Sequence, residues 1–136
     1  MERITGRAKF FVRALDSLQE AIEKFERCSD SSSSEYRTYR DSLIQRFEYC
    51  ADIFWKYLNV QLRTKTGVVV DIARPKIVFK ESNSAGLLSD DELRVCDNMI
   101  EDRNRTSHTY HEELAEEIAN KISGYYKLMR TIVQRI

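Results

Sequence analysis

The chain has 136 residues, 42% of them hydrophobic, and 22 Lys and Arg residues balance 22 Asp and Glu residues, so the formal net charge at pH 7 is zero. This length and composition argue against disorder and predict a single helical domain over residues 1–136. Because the charges balance, no global field draws the protein to nucleic acid or to an anionic membrane. Binding to RNA would need a local basic patch, or one built by the assembly of several chains.

The three cysteines, Cys28, Cys50 and Cys96, form no Cys-x-x-Cys pair, which argues against a zinc site and against a disulfide framework. We interpret them as small buried hydrophobic residues in a reducing cytoplasm. The apolar runs near the N-terminus are short and are interrupted by Arg13 and Asp16, so we expect neither a signal peptide nor a membrane span. The sequence predicts a cytoplasmic protein without a membrane segment, and it shows no cluster of metal ligands.

Only four glycines and one proline interrupt the chain, which favours long helices. The first helix is predicted from apolar residues that recur in steps of three and four: Ile4, Ala8, Phe11, Leu15, Leu18, Ile22 and Phe25. A serine-rich segment follows, in which Ser32 and Glu35 have the spacing of a capping box. The second helix is predicted from about Ser33 to Thr66, because Gly67 suits the left-handed position that ends a helix.

The middle of the second helix, LIQRFEYCADIFWKYL, is apolar or aromatic on almost every side. A helix of this kind is either central in its domain or covered by another chain. Because three or four other helices can hardly enclose all of these side chains, we expect part of this surface to be a dimer or partner interface.

The second half of the chain is predicted to contain a connector and three further helices. Residues 68–72 are expected to be extended, and a short helix begins at Pro75, with Ile77 and Val78 facing inward. Ser89 or Asp90 caps the next helix. The final helix is expected to run from about Thr109 to the C-terminus. These elements predict an all-α fold, an up-and-down bundle of four to five helices.

Chemistry-bearing side chains are concentrated in DRNRTSHTYHEELAEEI, residues 102–118. Arg103 is expected at the end of one helix and His108 at, or just before, the start of the next, where the helix dipole favours a neutral imidazole. A neutral histidine can take the proton of a ribose 2′-hydroxyl, and an arginine can hold the phosphate as charge builds up. This pair suits phosphoryl chemistry on RNA without a metal.

The alternative for the same segment is a well-capped helical turn. In this interpretation Thr109 and Glu112 form a capping box, and the carboxylates that follow are helix capping and solvent face: Glu112, Glu113, Glu116 and Glu117. On pattern alone, such a turn is more frequent than an active site. His111 continues the inner stripe of the final helix and is expected to be a structural histidine.

The core of the segment, DRNRTSHTY, resembles the signature of HEPN-superfamily domains, in which an arginine and a neighbouring polar residue precede a histidine. Arg103, Asn104 and His108 match these positions, and Tyr110 completes an Arg-x4-His-x-Tyr version that is similar to HepT-type toxins. The chain also resembles the nucleotidyltransferase substrate-binding protein family over nearly its whole length, including ARPKIVFKESNSAGLLSDDEL. Leu93 departs from that pattern, since a tryptophan is expected there.

The resemblance implies a helical bundle, usually a homodimer, that binds a small, separately encoded nucleotidyltransferase. For HepT-like members it implies a metal-independent endoribonuclease without a cofactor, in which Arg103 and His108 are catalytic and Asn104 supports them. It also implies that the transferase attaches AMP to Tyr110 and thereby silences the toxin. The chain lacks the Gly-Ser and paired aspartates of a nucleotidyltransferase, so we do not expect it to be the transferase. The alternative is a non-catalytic substrate-binding subunit of that enzyme.

Overall fold

The structure, a computed structural model, describes residues 6–136, apart from the side chain of Arg7. These residues form six α-helices and no β-strand, which confirms the predicted all-α bundle: α1 (Gly6–Arg27), α2 (Ser34–Thr66), α3 (Pro75–Ser84), α4 (Asp90–Arg105), α5 (Glu112–Ala119) and α6 (Ile122–Arg135). A 3-10 turn, Thr106–His108, follows α4 directly. The first residue of the predicted apolar stripe, Ile4, lies outside the described residues. No helix of residues 6–136 is long and apolar enough to cross a membrane.

The long helix α2 is the centre of the bundle, because it packs against each of the other five α-helices. Its side chains Phe47, Phe54 and Leu58 are fully buried. Tyr49 is the one large hydrophobic residue of α2 that is exposed, with 52% of its surface accessible. The other helices therefore enclose most of the aromatic surface that was expected to be too extensive for one chain, and the expected dimer or partner interface stays a prediction.

Helix ends follow the local sequence in most places. Gly67 ends α2 with φ 77°, in the left-handed region, and its N–H donates to the carbonyl of Arg63 at 2.9 Å. Ser89 and Glu92 form a complete capping box at the start of α4. At the start of α2 the prediction was wrong by one residue, because Ser33 accepts from the N–H of Tyr36 while Ser32 turns back to Asp30.

The two glycines Gly67 and Gly124 offer a matched test of this account. Gly67→Ala is expected to lower the free energy of unfolding by about 1 kcal/mol, because an alanine is strained at φ 77°. Gly124 lies in α6, where an added methyl group meets nothing within 4 Å. Gly124→Ala should therefore raise the free energy of unfolding by roughly 0.5 kcal/mol. Urea denaturation of both variants measures the difference. Equal effects of the two substitutions on the free energy of unfolding would contradict the assignment of Gly67 to the left-handed position that ends α2.

The final helix is not continuous, contrary to the prediction. α5 ends at Ala119, α6 begins at Ile122, and the side-chain amide of Asn120 donates to the carbonyl of Glu116 at 2.9 Å. Such a bond competes with the regular helical ladder and favours a break. As a result α5 packs on α2, whereas α6 packs mainly on α1 and α4.

The short helix α3 starts at Pro75 as predicted, after an extended Arg74. Its inward face differs from the prediction, because Val78 and Phe79 are buried while Ile77 is 39% exposed. Cys50 and Cys96 are free and buried, as interpreted from the sequence, whereas Cys28 is only half-buried. Burial raises the pKa of the Cys50 thiol to about 12, so this sulfur behaves as a small hydrophobic group that donates to the carbonyl of Ala14.

Candidate functional site

The residues of the Arg-x4-His-x-Tyr motif lie at the junction of α4 and α5. Arg103 belongs to the last turn of α4, and His108 is the last residue of the 3-10 turn. Asn104 and His108 are exposed, and Tyr110 is the most exposed large hydrophobic residue of the described chain, at 74%. The site is therefore an open surface feature and not a closed pocket.

Arg103 is held against α2 by a carboxylate that the sequence analysis did not identify. Its Nε and Nη2 atoms donate to the two carboxylate oxygens of Asp52, each at 3.0 Å. Glu48, one turn earlier on α2, lies 3.6 Å from Nη1. The hydrogen bonds to Asp52 raise the pKa of Arg103 further above its usual value, so the guanidinium is permanently charged. Two carboxylates thus face this single cation.

Thr106 stabilises the turn between Arg103 and His108 by hydrogen bonds. Its buried hydroxyl accepts from Nη1 of Arg103 at 3.3 Å and donates to the carbonyl of Arg103 at 2.6 Å. The carbonyl of Thr106 in turn accepts from the N–H and the hydroxyl of Thr109. Thr109 is therefore engaged in the turn, and the capping box predicted for Thr109 and Glu112 does not form.

His108 and Tyr110 are brought together, but Arg103 and His108 are not in direct contact. The rings of His108 and Tyr110 meet edge to face with their centroids 6.1 Å apart. Among the described residues no hydrogen bond or ion pair joins Arg103 to His108, and Thr106 lies between them along the chain.

His111, and not His108, occupies the N-terminal end of α5. Residues 109–111 separate His108 from α5, so the argument from the helix dipole does not apply to His108 as it was made from the sequence. His111 is the N-cap residue, makes no side-chain capping bond and is exposed. Its expected place on the inner face of the helix was wrong, because α5 begins later than predicted. Its ring lies against that of Tyr110, with centroids 4.4 Å apart.

A buried arginine anchors the start of α5 to α2. Arg40 is only 3% exposed, and its guanidinium donates to Glu112 at 2.6 and 3.3 Å and to Glu116 at 3.2 Å. The hydroxyl of Tyr36 donates to the second oxygen of Glu116 at 2.7 Å. The bonds from Arg40 lower the pKa of the Glu112 carboxyl. Glu112 and Glu116 are therefore structural partners of Arg40 and not simply a solvent face.

A second ionic network ties α4 to α5 and α6. Arg105 donates to Asp102 at 3.0 Å and to Glu117 at 2.7 Å. Asp102 is buried and also accepts from the hydroxyl of Tyr125, and burial together with this bond raises the pKa of that tyrosine. Both ends of the motif turn are thus fixed by charged contacts, and the turn itself presents His108 and Tyr110 to solvent.

The all-α bundle has the fold of a HEPN toxin of known structure. The chain belongs to the family described as nucleotidyltransferase substrate binding protein like, whose model matches residues 7–136. This match confirms the family resemblance seen in the sequence.

Solved structures agree with this assignment. A crystal structure of a protein from Thermus thermophilus is 38% identical in sequence, with a TM-score of 0.79 over 92% of this chain and 97% of that one. A toxin-antitoxin structure with AMP-PNP has a TM-score of 0.67 at 14% identity, covering 98% of both chains. A tri-AMPylated HEPN toxin of Shewanella oneidensis, in complex with MNT antitoxin, gives the same TM-score and identity over 98% of this chain and 96% of that chain. No curated protein matches the sequence.

Proposed function

We propose that the protein is the helical partner of a separately encoded minimal nucleotidyltransferase and the toxin of a two-component toxin-antitoxin module. In this proposal it is a homodimeric, metal-independent endoribonuclease that is silenced when AMP is attached to Tyr110. The observation that carries the proposal is the exposed pair of His108 and Tyr110, whose rings touch on the turn that follows Arg103. Family membership and the fold of the toxin-antitoxin neighbours support it.

The proposed chemistry uses only side chains of this segment. The imidazole of His108 takes the proton of a ribose 2′-hydroxyl, and the 2′-oxygen attacks the adjacent phosphorus. The bond from phosphorus to the 5′-oxygen of the next nucleotide breaks, the leaving oxygen takes up a proton from water, and a 2′,3′-cyclic phosphate remains. His108 then releases its proton to solvent. The Arg103 guanidinium stabilises the charge that builds up on the phosphate, with Asn104 beside it as a supporting donor.

Asp52 acts in this proposal as the residue that positions Arg103. Its bidentate bond occupies Nε and Nη2, while Nη1 donates to the hydroxyl of Thr106 in the motif turn and lies 3.6 Å from Glu48. An arginine fixed in this way loses less freedom on binding a phosphate than a mobile one.

Asp52→Asn is therefore expected to lower the rate of RNA cleavage about ten- to a hundred-fold, because a misplaced guanidinium binds the phosphate poorly. Glu48→Gln is the matched control, since Glu48 lies 3.6 Å away and makes no hydrogen bond to Arg103, and it should change the rate less than about three-fold. Initial rates with a labelled RNA measure both. A faster Asp52→Asn variant would mean that Asp52 withholds Arg103 from the phosphate.

A second function, that of a non-catalytic substrate-binding subunit, is favoured by one observation. Arg103 faces two carboxylates, so the immediate surroundings of the motif carry an excess of negative charge, which opposes the binding of a polyanion. A subunit that only docks on the transferase has no need to bind RNA at this place.

Co-expression with a small nucleotidyltransferase from the same organism tests the partner that both functions share. We expect a stable complex to co-purify, and expression of the helical protein alone to arrest bacterial growth, with relief when the transferase is supplied. Growth arrest that persists in the His108→Ala variant would exclude the ribonuclease. Failure of the two proteins to co-purify would count against both functions.

A further inference from the structure

Two exposed aromatic rings line an open groove between α1 and α2. Phe10 and Tyr49 are each 52% exposed, and their rings meet edge to face with centroids 6.1 Å apart. The groove has a volume of ≈ 420 Å³ and is also lined by Arg13, Gln45 and Arg46. Adjacent aromatic rings that are half open to water offer stacking surfaces to a ligand.

The charges of this groove are positive and are not balanced by carboxylates. Arg46 donates to the carbonyl and the hydroxyl of Ser17, each at 3.0 Å, and both of these acceptors are neutral. Arg13 is exposed and takes part in no ion pair of the described residues. Asp16, the nearest acid along α1, is paired with Arg130 at 2.8 Å. In a chain of zero net charge, the groove is thus a local cationic patch.

The groove adjoins the candidate site through α2. Tyr49 and Asp52 are three residues apart on this helix, a spacing that makes side chains neighbours on a helix surface. Asp52 holds Arg103. The candidate site therefore begins at Asp52, about one helical turn of α2 from Tyr49.

We propose that this groove binds single-stranded RNA, with bases stacked on Phe10 and Tyr49 and with phosphates at Arg13 and Arg46. Aromatic rings within a cationic groove are the combination that recognises single strands, since the bases of a duplex are already stacked on one another. The proposal rests on the proposed ribonuclease function and specifies its substrate as unpaired RNA. It also supplies the positive charge that the surroundings of Arg103 lack.

A second copy of this chain is a less suitable occupant of the groove. A symmetric dimer uses the same patch on both subunits, so it would bring the uncompensated Arg13 and Arg46 of one copy close to those of the other. Like charges brought together in this way oppose association, whereas a polyanion relieves them.

The test measures RNA binding separately from cleavage. The full chain carrying His108→Ala, which is not expected to cut, is titrated against a short unstructured RNA in EDTA, and fluorescence anisotropy gives the Kd at several salt concentrations. Phe10→Ala and Tyr49→Ala should each raise the Kd about ten-fold through lost stacking, whereas Tyr49→Phe should leave it within about two-fold. The double variant Arg13→Gln and Arg46→Gln should reduce the slope of log K against log salt by about 1.4.

Lys127→Gln provides the control for loss of a positive charge away from the groove, because Lys127 is an exposed residue of α6. It should leave both the Kd and the salt slope unchanged, and an RNA duplex of the same length should bind more weakly than the single strand. Weaker binding in the groove variants supports the proposal even if the wild type cuts no RNA, a result that would overturn the proposed function alone.

Two results would overturn the groove proposal. One is the absence of RNA binding, or RNA binding that the groove variants do not change. The other is a groove variant whose RNA binding is unchanged but whose self-association, or binding to the transferase, is altered. That result would assign the groove to a protein partner.

Discussion

Replacement of His108 by alanine is expected to lower the rate of RNA cleavage about 100- to 10,000-fold, because the proposed general base is removed. His108 is exposed, and its side chain makes no hydrogen bond among the described residues, so the free energy of unfolding should change by less than about 0.5 kcal/mol. The variant thus distinguishes a loss of catalysis from a loss of folding stability. Single-turnover cleavage in EDTA, with denaturation of the same preparation, measures both quantities.

His111→Ala is the matched control for this experiment. His111 is also exposed, also contacts Tyr110, and lies only three residues away, but it is outside the motif. It should retain cleavage within about three-fold, a range typical of a surface substitution. Equal loss of activity in the two histidine variants, or activity retained in His108→Ala, would remove His108 from the proposed mechanism.

Arg40→Ala is expected to lower the free energy of unfolding by about 3 kcal/mol, because a buried guanidinium and its bonds to two glutamates are lost together. The glutamates are partly exposed and regain water, which keeps the loss below that of a fully buried pair. The start of α5 should also loosen, and the hydrogen-bonded amides of residues 115–119 should exchange faster with solvent.

The effect of Arg40 should also depend on pH. Arg40 holds the pKa of Glu112 below its usual value of 4.5, so the stabilisation is present above that value and is lost as the pH falls through the lowered pKa. The difference between the wild type and Arg40→Ala should therefore narrow as the pH falls below 4.5. Arg94→Ala, which breaks an exposed pair with Asp91, should cost less than about 0.5 kcal/mol. Equal losses for the two arginines would contradict this account.

The helices were predictable because their signals are local. The apolar stripe of α1, the glycine after α2 and the capping box at Ser89 each depend on residues within a few positions of one another. The break between α5 and α6 has only a weak local signal, the side chain of Asn120, and the apolar stripe continues across it. A periodic pattern therefore predicted one helix where the chain forms two.

The surroundings of the site were less predictable because they depend on distant pairs. Asp52 and Arg103 are 51 residues apart in sequence, and Arg40 and Glu112 are 72 apart, so no local spacing indicates these contacts. One signal was present for Arg40. It interrupts an inward-facing stripe of α2 between Tyr36 and Leu43, and a charged residue at such a position needs a buried partner.

The position of His108 shows the limit of the motif itself. The family pattern selected the residue, but it did not reveal that His108 ends a 3-10 turn and that three further residues separate it from α5. The helix α5 begins at Glu112 and not at Thr109 as predicted. The argument from the helix dipole therefore applies to His111. The chemistry proposed for His108 depends on its exposure and on its contact with Tyr110.

The most direct measurement compares RNA cleavage before and after treatment with the nucleotidyltransferase, ATP and Mg²⁺, with EDTA added before the RNA. Wild-type protein should cut RNA, gain the mass of one or more AMP groups and then stop cutting, because AMP on Tyr110 adds bulk and negative charge beside His108. Tyr110→Phe, treated in the same way, should gain no mass and continue to cut. Wild-type protein that never cuts RNA, or that is silenced equally in the Tyr110→Phe form, would contradict the account.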